Sequence, residues 1–372
     1  MQQIFAVHLL NDYSGSPMVF KQALQTLQEN GHRVHLFTAT AATGGCLSQL
    51  PNVTLHNLPY KRFNNRLLTL LSYLFVQAYL FFVLLARLQK TDMVYVNTLL
   101  PAGAALAGRL RGCNVVYHIH EVSISPAALK KLLTAVAEFT ADRVIFVSDY
   151  VRRSYAFVRP LTCVVYNALS PDFEQTARQT NVLNFTHPFT VLMLCSLKAY
   201  KGVYEFVECA RQLPHIRFML VLNAGAADAE AFKHNSQAPP NCHIYPVQTN
   251  THVFYKQAHV VVNFSRQQEW VETFGLTILE GMAYGLPAIV PPVGGVCELV
   301  KPGENGYCLN SADTNAVTDA LKELSGNLQW YLTMSGKSRL MSRNFGIHTF
   351  GRQLTGVFES LKSRANQIPP VE

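Results

Sequence analysis

Short apolar runs alternate with segments of helical periodicity along the whole chain. In the first half the runs are Ile4–Leu9, Val34–Phe37, Met93–Asn97, Val115–His118, Val144–Val147 and Val164–Tyr166. Between them the spacing predicts helices over Pro17–Glu29, Arg66–Leu88, Ala102–Arg111, Ala127–Thr140 and Tyr150–Phe157. Strands with helical connections imply right-handed crossovers and a parallel sheet covered on both faces. The periodicity lapses over Ser170–His187 and then restarts with runs at Thr190–Leu197, Ile216–Leu222, His243–Val247, Val260–Phe264 and Ala288–Pro291. Helices are predicted at Val203–Gln212, Leu276–Tyr284, Thr314–Leu324, Leu328–Met341 and Thr349–Ser363. The fold class is therefore α/β, with two doubly wound Rossmann-like domains facing each other across a cleft lined by the carboxyl ends of their strands. We expect an N-terminal domain over 1–170, a linker over 171–187, a C-terminal domain over 188–345 and a helix over 346–364 packing back toward the first domain.

One helical segment departs from the pattern. Leu67–Ala86 runs for twenty residues without a charge, between Arg66 and Arg87. Its length and apolarity suffice to cross a bilayer. A crossing there would separate the first strands from the rest of their own sheet, and Ser72, Tyr73 and Gln77 share part of one helical face. The expectation is a helix packed on the sheet by one side, with its other side in lipid headgroups and Lys61, Arg62, Arg66, Arg87 and Lys90 contacting anionic lipid. A fully buried helix is the alternative.

Charge sharpens this picture. Only 15% of the 372 residues are charged, and the net charge is +8. Residues 1–185 carry net +7 and residues 186–372 net +1, so the basicity belongs to the first half. It points to an anionic membrane surface or a phosphorylated acceptor there. The basic residues come as scattered pairs, not interleaved with aromatics, and nucleic acid is not expected. The eight cysteines show no CxxC spacing and several lie in apolar runs, as free thiols of a reducing compartment do. The opening segment lacks a basic n-region and predicts a first strand rather than a signal peptide. Cytoplasmic placement, peripheral on the inner face of the membrane, is the resulting expectation.

The chemistry concentrates in Glu272–Glu280, two carboxylates with seven residues between them. Thr273 is expected to cap a helix starting near Phe274, leaving the amides of Phe274, Gly275 and Leu276 at the positive end of the helix dipole. Such an end takes a diphosphate, and Gly275 permits close approach. Glu272 can accept hydrogen bonds from a ligand ahead of the helix, and Glu280 can reach a diol such as a ribose.

The surrounding segment EWVETFGLTILEGMAYGLPAIVPPVGGVCELVKPGENGYCL resembles the E-x7-E region of family-4 retaining glycosyltransferases of GT-B fold, with Gly281 in place of the usual Ala. VLMLCSLKAYKGVYEF resembles the family's G-R-L-x-x-x-K-G segment, matching at Lys201 and Gly202 but holding Ser196 at the Arg position. RVIFVS with VVYNALSPDF, and NDYSGSP with NGHRVHLFTA, resemble further family segments. In the opening loop Ser14 stands for the first Gly and Gly15 for the second. VVYHIHE resembles the strand ending in the family's sugar-contacting histidine, a role that falls on His120, with His118 the alternative.

The resemblance implies a retaining transferase that moves a sugar from a UDP- or GDP-linked donor to a glycan acceptor, which the charge of the first domain suggests is lipid-linked, in surface polysaccharide synthesis. Implied catalytic residues are His120, Glu272 and Lys201. Implied donor contacts are Gly15, Ser16, Ser196, Lys198, Lys201, Phe274, Gly275, Leu276 and Glu280, with Lys198 supplying the charge missing at Ser196. No D-x-D occurs in the sequence, and no metal or other cofactor is expected. A non-catalytic sugar-nucleotide-binding subunit and a nucleotide-sugar epimerase are the alternatives.

Overall fold

The computed structural model describes residues 2–40, 44–180 and 188–365. The chain forms two compact units, Met1–Asn167 with His348–Glu372, and Ala168–Ile347. Each is built on one parallel sheet.

The N-terminal unit has seven strands: β1 (Gln3–Asn11), β2 (Arg33–Thr40), β3 (Thr54–Asn57), β4 (Met93–Asn97), β5 (Asn114–Ile119), β6 (Arg143–Phe146) and β7 (Leu161–Val164). Their order is β3-β2-β1-β4-β5-β6-β7, and every pairing is parallel. Helices α1 (Gly15–Glu29), α2 (Arg66–Arg87), α3 (Ala102–Leu110), α4 (Ala127–Thr140) and α5 (Asp149–Arg153) connect them. Strand alternation divides the core. Val94 and Val96 of β4 face the cluster that includes Val76, Leu80 and Leu84 of α2, Ala104 of α3 and Leu133 of α4. Tyr95 points the other way, against Phe20 of α1.

The C-terminal unit opens with α6 (Pro171–Arg178), followed by β8 (Thr190–Ser196), α7 (Val203–Gln212), β9 (Arg217–Asn223), α8 (Ala226–Asn235), β10 (Cys242–Tyr245), α9 (His252–Tyr255), β11 (Val260–Val262), α10 (Leu276–Ala283), β12 (Ala288–Val290), β13 (Gly306–Cys308), α11 (Thr314–Gly326) and α12 (Leu328–Ser342). The sheet order is β10-β9-β8-β11-β12-β13, again parallel throughout. The last helix, α13 (Ile347–Ala365), belongs to the N-terminal unit from His348 onward. There its Phe358 meets Tyr95 edge-on at 5.1 Å.

Several elements differ from the sequence expectation. The stretch read as a linker contains α6, because Ser170 caps it through Phe173 N and Pro171 occupies its first turn. Residues 181–187 of that stretch lie outside the described residues. The strand expected at Val164–Tyr166 lies three residues earlier, as β7. Strands β3 and β13 were not expected. β3 is largely exposed at a sheet edge, and β13 has only three residues, so neither produces an apolar run.

Candidate functional site

In each sheet the strand order reverses beside one central strand, β1 in the N-terminal unit and β8 in the C-terminal unit. Carboxyl ends at such a reversal are where doubly wound sheets receive ligands. The predicted site residues of each unit gather there.

In the C-terminal unit, β8 ends at Ser196 and the chain makes a short turn to Lys201. Lys198 N–H donates to Ser196 O at 2.8 Å, and Lys201 N–H donates to Lys198 O at 2.9 Å. Gly202 comes next at φ +79°, and a Cβ there would stand 2.2 Å from Phe264 O, so only glycine lets the turn lie against the segment just past β11. The turn aims the Lys201 ammonium at Glu272, with Nζ–Oε2 2.8 Å and side-chain exposures of 16% and 20%. Asn263, just past β11, also donates to Glu272 Oε2 at 3.4 Å. The Trp270 ring lies 4.9 Å from Lys201 Nζ and stacks on Tyr200. Lysine and glutamate thus hold each other in place, with the ammonium on an aromatic face. Nearby Cys195 is not a nucleophile candidate, because burial pushes its thiol up to about 12. Lys198 is exposed and its side chain has no partner among the described residues.

Helix α10 begins one turn after Glu272. The cap is not Thr273 as the sequence suggested but Gly275, at φ +93°, with no side-chain capping bond. A Cβ on Gly275 would meet Val296 at 2.7 Å. The helix therefore starts at Leu276, and Phe274, expected to offer an amide at the helix start, buries its ring against Phe345 ahead of the first turn. The amides of Gly275, Leu276 and Thr277 have no acceptor among the described residues, whereas those of Ile278 and Leu279 bond Gly275 O. The glycine pair after β12 completes the frame, with Gly295 N–H donating to Glu272 O at 2.9 Å. Gly281, which replaces the family's alanine, has its reason in β11. A Cβ would stand 2.5 Å from Val261 Cγ1.

Glu280 lies one turn into α10 and accepts a 2.6 Å hydrogen bond from the Tyr255 hydroxyl. Burial raises its pKa to about 7, against the opposing pull of that hydrogen bond. Tyr255 and Tyr284 stack beside it, and Phe173 of α6 packs on both edge-on. The acidic segment Gly225–Glu230 opens α8, where Glu230 pairs with Lys233. Among the described residues no three His, Cys, Asp or Glu side chains form a group that could hold a metal ion.

The N-terminal unit has a different set. His120, just past β5, hydrogen-bonds Asn97 Oδ1 through Nε2 at 2.8 Å. Asn97 Nδ2 donates to His8 Nδ1 at 2.9 Å and to Ser16 O at 3.3 Å. This assigns the His120 proton to Nε2 and leaves Nδ1 as an acceptor. Burial lowers the pKa of His8 to about 4 and that of His120 well below the usual value, so both rings are neutral. His118 is wholly buried, takes the Tyr95 hydroxyl at Nδ1 and has its pKa lowered to about 3 by burial, which suits a core residue. Gly15 and Ser16 start α1, and the Ser14 hydroxyl donates to Asp12 at 2.5 Å instead of capping the helix.

Sequence reasoning missed three members of this set: His8, Asn97 and Glu121. Glu121 accepts from Leu99 N–H at 2.7 Å and His120 N–H at 3.1 Å. It holds a turn in which Thr98 takes φ +70°, a strained conformation for a β-branched residue. The signal available was an acidic residue directly after His120.

Two parallel, doubly wound units, each with polar residues at its strand reversal, define an α/β protein of Rossmann-like type. Known proteins narrow the class. The model described as Glycosyltransferase Family 4 matches residues 13–173, and the model described as Glycosyl transferases group 1 matches residues 188–327. Between them they cover most of the chain, which belongs to the glycosyltransferases these models describe. An uncharacterized glycosyltransferase of Haemophilus influenzae is 32% identical over 45% of this chain, a match spanning 48% of that relative's length. The uncharacterized glycosyltransferase MJ1178 of Methanocaldococcus jannaschii is 22% identical over 84% of this chain and 87% of its own. Among solved structures, Anabaena Alr3699/HepE in complex with UDP-glucose superposes with a TM-score of 0.77 at 20% identity, covering 97% of this chain and 100% of that one. The fold is thus that of GT-B glycosyltransferases, and none of these matches favours an epimerase.

Proposed function

We propose that the protein is a retaining glycosyltransferase that moves a sugar from a nucleotide-diphosphate donor, UDP- or GDP-linked, to a glycan acceptor. The observation that carries this reading is the Lys201–Glu272 pair together with the amides of Leu276 and Thr277, which have no acceptor among the described residues. As the donor breaks, negative charge grows on the departing diphosphate. An ammonium and helix-start amides already in place stabilise that charge more than they stabilise the ground state. Lys198 adds a second cation where Ser196 supplies none. Glu272 accepts hydrogen bonds from sugar hydroxyls, and Glu280 holds the ribose diol. In the N-terminal unit Gly15 and Ser16 belong to the donor contacts, and His120 contacts the sugar through its Nδ1 lone pair. The diphosphate is neutralised by lysine and amides in this reading, without a metal.

We read the acceptor as a lipid-linked glycan, in surface polysaccharide synthesis at the inner face of the membrane, on the strength of the apolar helix α2. The test of the transfer reading is donor turnover. Purified protein should release nucleoside diphosphate from one sugar nucleotide of a panel, the one that also raises its melting temperature. Glu272→Ala should lose turnover and Glu280→Ala should lose donor affinity. A donor that binds but is never cleaved would make the protein a sugar-nucleotide-binding subunit.

A further inference from the structure

Helix α2 has two unlike faces. Tyr73, Val76, Leu80 and Leu84 are buried on the sheet. Polar side chains tie the helix down on that side. Tyr73 Oη donates to Leu100 O at 2.8 Å, and Gln77 Oε1 accepts from Gly103 N–H at 2.9 Å. Gly103 also lets α3 approach, since a Cβ there would lie 2.2 Å from Gln77 O. The opposite stripe is bare. Leu67, Leu71, Leu74, Phe75 and Phe82 are 53–66% exposed. Only 22% of the most apolar 18-residue window is buried, at mean hydropathy 2.1. Lone exposed leucines are ordinary, but a stripe running from Leu67 to Phe82 marks an interaction surface.

The charges around the stripe say what covers it. No Asp or Glu occurs between Glu29 and Asp92. At the amino end the segment 61–65 folds back along the helix, with Lys61 N–H on Ser72 Oγ and Phe63 N–H on Thr69 Oγ1, both at 3.0 Å. Lys61, Arg62 and Arg66 are thereby held at the amino end of the helix. At the carboxyl end Arg111, from the end of α3, donates to Leu88 O at 2.9 Å and joins Arg87 and Lys90. Arg66 at the amino end of α2 opposes the helix dipole, so helix stability does not account for its placement. A bare apolar stripe with cations at both ends fits acyl chains and anionic headgroups. A second copy of this chain would set each basic cluster against another.

We propose that α2 lies in the plane of an anionic bilayer, its Leu67–Phe82 stripe among the acyl chains and its two basic clusters on the headgroups. The helix does not cross the bilayer, because β1 pairs with β2 before it and with β4 after it in one sheet. Docking stands apart from the chemistry of the donor site, and it underlies the lipid-linked acceptor.

The test is flotation of the full chain with vesicles of phosphatidylcholine, alone or doped with phosphatidylglycerol. Wild type should bind the doped vesicles and be released by salt. The triple variant Lys61→Ser, Arg62→Ser, Arg66→Ser should bind roughly a hundredfold more weakly. Phe75→Gln with Phe82→Gln, both on the exposed stripe, should lose at least about tenfold. Both variants should keep wild-type donor hydrolysis in solution, so failure here and failure of the transfer reading are separable. Equal binding to undoped vesicles, unaltered binding of both variants, or no binding by wild type would overturn the proposal. So would resistance to alkaline washing, which indicates a span, or a solution dimer that the Phe75/Phe82 variant dissolves, which indicates a second copy.

Discussion

The two strand reversals do opposite things with their polar groups. In the C-terminal unit a lysine, a glutamate and the start of α10 concentrate charge and dipole around one point. In the N-terminal unit His8, Asn97 and His120 form a chain of neutral partners, since burial keeps both imidazoles from taking up a second proton. The same sheet architecture therefore serves two electrostatic tasks, decided by the residues at the carboxyl end of each strand. A turn of positive-φ glycine and lysine after β8 gathers charge. Asparagine at the end of β4 and histidine just past β5 place directional hydrogen bonds without charge. In the proposed transfer, the growing diphosphate charge calls for the first arrangement and a sugar hydroxyl for the second.

Lys201→Ala is the strongest way to break this contrast. It removes the main cation from the charged end and leaves Glu272 without its cationic partner, so turnover should fall roughly a hundredfold to a thousandfold. Steady-state release of nucleoside diphosphate measures it. At the neutral end, His120→Ala should lower turnover about tenfold to a hundredfold, the range for one well-placed hydrogen bond. Its rate should show no step between mildly acidic and neutral pH in the wild type that His120→Ala abolishes. Such a step would mean that His120 titrates, and the electrostatic contrast would be gone.

Glu280 sharpens the comparison through pH. Its folded-state pKa is raised to about 7 from 4.5, so folding takes up a proton between those values. The charged form therefore diminishes stability above about 7, and that loss is relieved as the pH falls toward 4.5. A ribose diol needs the carboxylate as acceptor, so donor affinity should weaken as pH falls through about 7, by about tenfold in all, and Glu280→Gln should abolish the step. Calorimetric titration with the nucleoside diphosphate across that range measures both. The smallest effect is expected at Lys198→Ala, a few-fold loss in turnover, because this exposed cation acts through solvent. Ser196→Arg should recover part of it. Unchanged kinetics in Lys198→Ala would leave Lys201 to act without a second cation.

Much of this was legible in the sequence because it rests on spacing. The alternation of runs located most strands of both sheets, and Glu272 and Glu280 flank a helix start as their separation implied. What escaped has a common cause. The cap at Gly275 depends on a left-handed backbone and on Val296 closing over it, which no neighbouring residue type reveals. Helix α6 sits in polar sequence because its apolar contribution is mainly Phe173 and Ala177, too few for a visible period. Asn97 and His8 meet His120 only because β1, β4 and β5 are adjacent in the sheet. A side chain within a strand gives no hint of which neighbour it will face.

The path of α13 bears on how the molecule is made. Phe350, Leu354 and Phe358 are almost fully buried, and Phe358 covers the face of β4 that carries Tyr95. A ribosome delivers this cover only after the whole of Ala168–Ile347 has emerged. At about 5–20 residues per second, that wait lasts roughly ten seconds or more. A first sheet that forms during that wait carries one apolar strip uncovered, and in a chain stalled inside the second unit the strip stays so.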